Sequence, residues 1–244
     1  TTIEVEGAVS IPYIDMTIET LERFGVEVMY NEGDYTQFYV EGGQEFKAID
    51  YTIESDWSAA ASIMVAAAIA GEVTINNIST LSRQADTAVC RALERAGASL
   101  IIEENSITVA HRPLEAFEFD ATQCPDLFPA LVALAAAAEG VSTITGIKRL
   151  RGKESDRGEA LRAEYEKLGI DIELDYDEDV MRVVGGTPHS ANVDSHDDHR
   201  IAMSLAITAL RIQDEVVIRG RESVAKSYPS FFEDIESLKS NEGE

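Results

Sequence analysis

Two stretches of the chain hold most of the side chains that could do chemistry. One is Ser195–Met203, SHDDHRIAM, where His196, Asp197, Asp198, His199 and Arg200 run straight into an apolar helical pattern. The other is KRLRGKESDR, which gathers Lys148, Arg149, Arg151, Lys153 and Arg157 around Glu154 and Asp156. Asp126 in CPDLFPALV and Lys226 in VAKSYP stand apart in sequence. The histidines and aspartates suggest two chemistries. A metal site could draw on His196, His199 and one or both aspartates, because the spacing fits one helical turn. Two features count against it: Asp198 is wanted as a helix cap, and Arg200 would bring positive charge next to a cation. The preferred chemistry is an anion site. A helix N-terminus offers free amides and the positive end of the dipole, and an adjacent arginine suits phosphate or carboxylate. On that reading His196 and His189 are plain surface residues.

Composition sharpens the anion reading. The 244 residues carry a net charge of -25, a surface that repels nucleic acid and anionic lipid. In so acidic a chain, a basic loop beside turn residues points to an anionic ligand. No apolar run reaches the ~18 residues of a membrane span. The start, TTIEVEGAVS, lacks the basic and apolar regions of a secretory signal. Cys90 and Cys124 lie in unrelated contexts, which fits a reducing cytosol and a cytoplasmic location.

A repeat must position these residues. IDMTIETLERFGVEV, ADTAVCRALERAGASL and RGEALRAEYEKLGIDI each read as a helix closed by glycine and followed by a strand. Gly25, Gly97 and Gly169 are 72 residues apart (97 − 25 and 169 − 97). A second helix recurs in SDWSAAASIMVAAAIAG, CPDLFPALVALAAAAEG and HDDHRIAMSLAITAL, apolar nearly all round and therefore buried. Asp56, Asp126 and Asp198 lead these helices and read as N-caps. The expected fold is α/β with symmetry-related units around buried helices. The chain starts and ends partway through a unit, so residues are expected upstream. Residues 1–50 read as the remnant of one domain and residues 51–244 as another, with one continuous domain as the alternative.

The motifs LRGKESDRGEAL, DDHRIAMSLAI, VAKSYPSFFEDI, VSIPYIDMTIETLERFGVEV and CPDLFPALVALAA, in order along essentially the whole chain, resemble the C-terminal half of the 5-enolpyruvylshikimate-3-phosphate synthase family. The related UDP-N-acetylglucosamine enolpyruvyl transferases share the fold, but the KESDR, DHRIAM and AKSYP forms are similar to the shikimate enzymes. The resemblance implies repeated βαβαββ units. It also implies a transferase of the shikimate pathway, which makes the aromatic amino acids. The 5-hydroxyl of shikimate 3-phosphate adds to C2 of phosphoenolpyruvate while C3 is protonated, and the tetrahedral intermediate loses phosphate. The implied partners are those two small molecules, with no metal and no organic cofactor. By similarity Asp126 is the proton acceptor near the 5-hydroxyl and Glu154 helps shuttle the proton at C3. Arg157, Arg200 and Lys226 match the phosphoenolpyruvate clamp. Ser10, Tyr13, Asp126, Arg149 and Lys153 match shikimate 3-phosphate contacts, and His199 stands behind them. Without the resemblance, Asp126 reads as a cap and Glu154 as a surface charge.

Departures from the family pattern matter as well. Arg149 stands where the family usually has an asparagine that contacts shikimate 3-phosphate, and Gly152 replaces a β-branched residue in the same loop. The family's glycine-serine-lysine loop, its Asn-Ala-Gly-Thr loop and its Ser-Ser-Gln motif do not occur in these residues. They belong to the missing N-terminal half, so this chain is expected to be inactive alone. Two rival readings remain: a non-catalytic anion-binding module derived from the same fold, and a metal-dependent hydrolase.

Overall fold

A computed structural model describes residues 1–239. Strand β1 (Thr2–Glu4) leads into α1 (Ile11–Arg23), β2 (Val28–Tyr30) and β3 (Gln37–Val40). These strands form an antiparallel sheet of order β1-β3-β2, with a small core of Ile18, Val28 and Phe38. Residues 41–56 hold no regular structure. Helix α2 (Trp57–Ala70) then runs into β4 (Glu72–Asn76), a 3₁₀ turn (Ala85–Ala88), α3 (Val89–Arg95), β5 (Ser99–Ile102) and β6 (Ser106–Ala110). The three strands pair antiparallel in the order β4-β6-β5.

The unit from residue 118 to 184 is complete. It comprises β7 (Glu118–Asp120), a 3₁₀ turn (Pro125–Leu127), α4 (Phe128–Ala137), β8 (Val141–Thr145), α5 (Arg157–Lys167), β9 (Ile172–Asp175) and β10 (Val180–Val184). Its sheet order is β7-β8-β10-β9, with β7 and β8 parallel and the other pairs antiparallel. That is the βαβαββ unit that the family resemblance implies. Next come β11 (Asn192–Asp194), α6 (His199–Ala209) and β12 (Val217–Arg219), with β11 and β12 paired in parallel. A 3₁₀ turn (Arg221–Lys226) and α7 (Phe231–Lys239) follow. No helix among the described residues is long and apolar enough to cross a membrane.

The repeat is visible in how helices stop. Gly25, Gly97 and Gly169 take φ of 85°, 84° and 81°, a conformation that side chains resist. Behind each glycine the same two bonds form. Gly25 N–H donates to the Glu22 carbonyl and Val26 N–H to that of Leu21. Gly97 and Ala98 donate to Glu94 and Leu93, and Gly169 and Ile170 to Glu166 and Tyr165. These satisfy the orphan carbonyls of each helix end and turn the chain into the following strand.

Helix starts follow the expected caps at two of three positions. The Asp56 carboxylate accepts from the Ser58 and Ala59 amides, and Asp198 accepts from the Arg200 amide at 2.9 Å. Asp126 departs from the reading. It lies in the 3₁₀ turn before α4, caps no amide, and Leu127 occupies the cap position. Pro125 and Pro129 lack amide donors near this helix start, which frees the Asp126 carboxylate for other partners.

Helices α2, α4 and α6 pack on one another and fill the main core. Small alanines let the backbones approach, and Phe128, Leu131 and Leu134 of α4 have no exposure. Buried polar groups fix the packing. The Tyr165 hydroxyl of α5 meets Ser204 Oγ and Thr208 Oγ1 of α6 at 2.6 and 2.8 Å, and Ser204 Oγ donates to the Pro129 carbonyl of α4. Leu131→Ala is therefore expected to cost about 3 kcal/mol of folding free energy, read from the midpoint of urea unfolding with an unchanged slope.

Candidate functional site

The packing of α4 and α6 against the start of α5 brings three sequence-distant segments together. Arg157 is the first residue of α5, behind an Asp156 cap, and its side chain is 1% exposed. A buried guanidinium must find acceptors for its donors. Nε donates to Asp198 Oδ2 at 2.8 Å, Nη1 to Asp126 Oδ1 at 2.7 Å and Nη2 to Glu154 Oε2 at 2.6 Å. Asp198, itself fully buried, caps α6 with Oδ1, while Oδ2 takes Arg157 and the Ser155 hydroxyl at 3.1 Å. One aspartate thus terminates a helix and anchors the basic loop at once.

Asp126 is the second node. Besides Arg157 it meets Lys153 Nζ at 3.2 Å and Arg200 Nη2 at 3.6 Å, and its carbonyl accepts from Arg200 Nη1. Burial would raise its pKa, but Arg200, then Arg157 and Lys153, outweigh that and bring it down to about 2. The pKa of His199 is lowered, first by burial and then by Arg200, so its imidazole is neutral near pH 7. Its Nδ1 is buried without a hydrogen-bond partner, 3.8 Å from Glu154 Oε1.

The remaining residues singled out from sequence lie at the margins. Ser10, at the start of α1 with φ 56°, accepts from Arg149 Nη2 at 2.8 Å. Tyr13, in the first turn of α1, is partly buried against the main core, and that burial, then the charge of Asp86, raises the pKa of its hydroxyl. Lys226 donates to the Asp197 carbonyl at 2.6 Å and pairs with its carboxylate at 2.9 Å. Asp126, Lys153, Glu154, Arg157, His199 and Arg200 therefore form one cluster. Ser10 and Arg149 form a linked pair, and Lys226 attaches to the loop that precedes α6.

That loop adds a tether the sequence did not show. His196 is exposed, as a surface residue should be, yet its Nε2 meets Oε1 of the buried Glu164 at 2.8 Å. Glu164 also accepts from Lys167 Nζ and the Asp194 amide. His196 and Asp197 have φ of 53° and 56°, a strained conformation for two consecutive residues that are not glycine. The contacts from Glu164, Asp194 and Lys226 hold it. His196 and His199 reach different carboxylates. Among the described residues no group of three His, Cys, Asp or Glu side chains is arranged to hold a metal. The role of Asp198 toward Arg157, and those of Ser155, Asp197 and Glu164, escaped the sequence reading. Each acts across a turn or between helices, where spacing carries no signal.

The helices and sheets of this scaffold, with carboxylates and cations gathered at its helix starts, have the fold of the enolpyruvyl transferases. An enolpyruvyl transferase from Streptomyces tendae superposes with a TM-score of 0.74 over 98% of this chain, at 20% identity, which shows the fold alone. The family is narrower: the model of EPSP synthase (3-phosphoshikimate 1-carboxyvinyltransferase) matches residues 1–235, and the chain belongs to that family. It is 41% identical over 231 residues to a 3-phosphoshikimate 1-carboxyvinyltransferase of Clostridium perfringens, covering 93% of this chain and 53% of that protein. A Methanosarcina acetivorans protein of the same name is 39% identical over 244 residues, covering 98% and 56%. The solved EPSP synthase of Acinetobacter baumannii superposes with a TM-score of 0.82 at 30% identity, covering 97% of this chain and 56% of that one. The chain spans about half the length of the relatives it matches.

Three outcomes test this geometry. Arg157→Met leaves three carboxylates facing one another without their shared cation and is expected to cost about 3 kcal/mol or more of stability, read by urea unfolding at pH 7. Asp126 has its folded pKa below its ordinary value of 3.8, so its ion pairs stabilise the fold above that pH and are lost as pH falls toward 2. Arg200→Ala is expected to move the Asp126 titration upward, as seen by carboxyl ¹³C NMR.

Proposed function

We propose that this chain forms one wall of an active site that transfers the enolpyruvyl group of phosphoenolpyruvate to the 5-hydroxyl of shikimate 3-phosphate and releases phosphate. In this reading residues 1–50 belong to one domain and residues 51–244 to a second, with the substrates between them, in a cytoplasmic enzyme. The observation that carries it is the environment of Asp126: a carboxylate held ionised by Arg200, Arg157 and Lys153, of which Arg200 and Lys153 keep partial exposure.

Those cations have a second use. Lys153 and Arg200 keep partial exposure, whereas Arg157 has none to spare. Anionic substrates would draw Lys153 toward shikimate 3-phosphate, and Arg200 and Lys226 toward phosphoenolpyruvate. Asp126 then loses compensating charge, and its pKa rises from a value too low for a base toward one fit to take the 5-hydroxyl proton. Binding of substrate switches on the base. Glu154, more open than Asp126, keeps Oε1 free of hydrogen bonds and is placed to carry the proton for C3 beside neutral His199. Arg157 serves this reading as the fixed cation that sets both carboxylates, and it joins the phosphoenolpyruvate clamp through their shared charge. Ser10, Arg149 and Tyr13 contact shikimate 3-phosphate at the margin.

Calorimetric titration of the chain with shikimate 3-phosphate, with and without phosphoenolpyruvate at low salt, tests the reading. Binding is expected to weaken by about tenfold or more in Lys153→Ala, the loss of one charge-assisted hydrogen bond. Turnover by the 244-residue chain is expected to be negligible. Binding indifferent to Lys153→Ala and Arg200→Ala would contradict the assignment, and tight binding without turnover after addition of the upstream half would favour a non-catalytic anion module.

A further inference from the structure

A buried glutamate in α5 stands outside the cluster around Arg157. Glu164 lies five residues before Gly169, and the 72-residue repeat puts Ala92 and Thr20 at the same place in the other two units (164 − 72 and 92 − 72). Ala92 has no exposure, so the repeat packs without a charge at this position. Burying a carboxylate is costly unless its oxygens are met by donors. Glu164, 1% exposed, has both oxygens met twice. Its Oε1 accepts from His196 Nε2 at 2.8 Å and its Oε2 from the Asp194 amide at 2.8 Å, while Lys167 Nζ reaches the two oxygens at 2.8 and 2.6 Å. Burial would raise its pKa, but Lys167, the Asp194 amide and His196 outweigh that and lower it. An ionised carboxylate can only accept, so the His196 ring donates to it.

Two of those donors belong to the turn that leads into α6, and the turn is strained. Ser195 is fixed at its start, with its amide on the Arg219 carbonyl and its hydroxyl on that of Gly220, both at 2.9 Å. His196 and Asp197 then take φ of 53° and 56°, which residues with side chains keep only when their surroundings hold them. Glu164 supplies that hold from outside the turn, gripping the Asp194 amide ahead of them and the ring of His196 itself. The turn in its place sets two cations. Asp197 takes Lys226 Nζ on its carbonyl at 2.6 Å and on its carboxylate at 2.9 Å. Asp198, whose amide closes onto the Ser195 carbonyl, caps the helix that carries Arg200.

We propose that Glu164 is a positioning residue of the site: it reaches neither substrate, and by clamping the Asp194 amide and the His196 ring it keeps the turn in the shape that sets Lys226 and Arg200 for phosphoenolpyruvate. This rests on the reading of those two cations as phosphoenolpyruvate contacts. It makes the two sides of the site separable. Ser10 and Arg149 bond to each other and Lys153 bonds to Asp126. Among the described residues none of these three bonds to Glu164 or to residues 194–197, so shikimate 3-phosphate is held without the clamp.

The test is calorimetry on the 244-residue chain, phosphoenolpyruvate being titrated with shikimate 3-phosphate present. Glu164→Ala and His196→Ala are expected to weaken phosphoenolpyruvate binding about tenfold, the worth of one charge-assisted contact, and to leave shikimate 3-phosphate binding within about twofold. His196→Gln, whose amide can donate to Glu164, should restore it. Equal losses for both ligands, or no loss for either, would overturn the proposal. Amide hydrogen exchange of the chain without ligand gives a second readout. The Asp198 and Arg200 amides are expected to exchange about tenfold faster in Glu164→Ala, while the Gly169 and Ile170 amides that close α5 keep their rates. Exchange unchanged in the turn, or raised as much at the end of α5, would mean that Glu164 serves only its own helix, and the proposal falls. If Glu164→Ala does not fold, His196→Ala against His196→Gln decides. An unaltered chain that binds no phosphoenolpyruvate would count against the proposed function, and the exchange rates would still judge the clamp.

Discussion

The guanidinium of Arg157 is the interaction on which the site depends. A buried cation needs charge and hydrogen-bond acceptors at once, and no single side chain can supply both for its five donors. Asp126, Glu154 and Asp198 do so together, from the turn before α4, the basic loop and the start of α6. Each carboxylate would repel the others without it. The loop, the turn and the helix start are therefore tied to the same cation.

The repeat makes this convergence possible. Helices α2, α4 and α6 share one core because each is apolar round most of its circumference and too small in side chain to hold its neighbours away. Equivalent helices in equivalent units start at the same end of that core, and so do the turns and loops leading into them. Divergence among those starts then costs the core little. Asp56 remains a cap, Asp198 is cap and ligand together, and Asp126 has given up capping. The same structural position holds three degrees of commitment to the site.

What the sequence made legible follows from which forces are local. Glycine after each helix is demanded by a backbone angle, so its recurrence at Gly25, Gly97 and Gly169 was readable, as was the apolar character of the buried helices. The caps at Asp56 and Asp198 were readable for the same reason. Strands β1, β7 and β11 were missed, since each is three residues long with no helix-closing glycine to announce it, and two of them pair in parallel with distant strands. Asp126 was misjudged as a cap because its neighbouring prolines alter the helix start in a way that spacing does not reveal. The tether of His196 to Glu164 crosses 32 residues. Nor could the burial of Arg157 be read: a basic loop in an acidic chain points to an anion, and here the first anions it meets are the protein's own.

That last point gives the account its sharpest consequence. If the protein's carboxylates hold the cations until substrate arrives, ligand binding must change the partners of Asp126. The direct measurement is the Asp126 carboxyl ¹³C titration in the 244-residue chain, with and without saturating shikimate 3-phosphate and phosphoenolpyruvate. The expected result is a pKa near 2 in the free state that rises when both substrates bind. A titration left unmoved by bound substrates would contradict the account, because the cations beside Asp126 would then not be the ones that substrates engage.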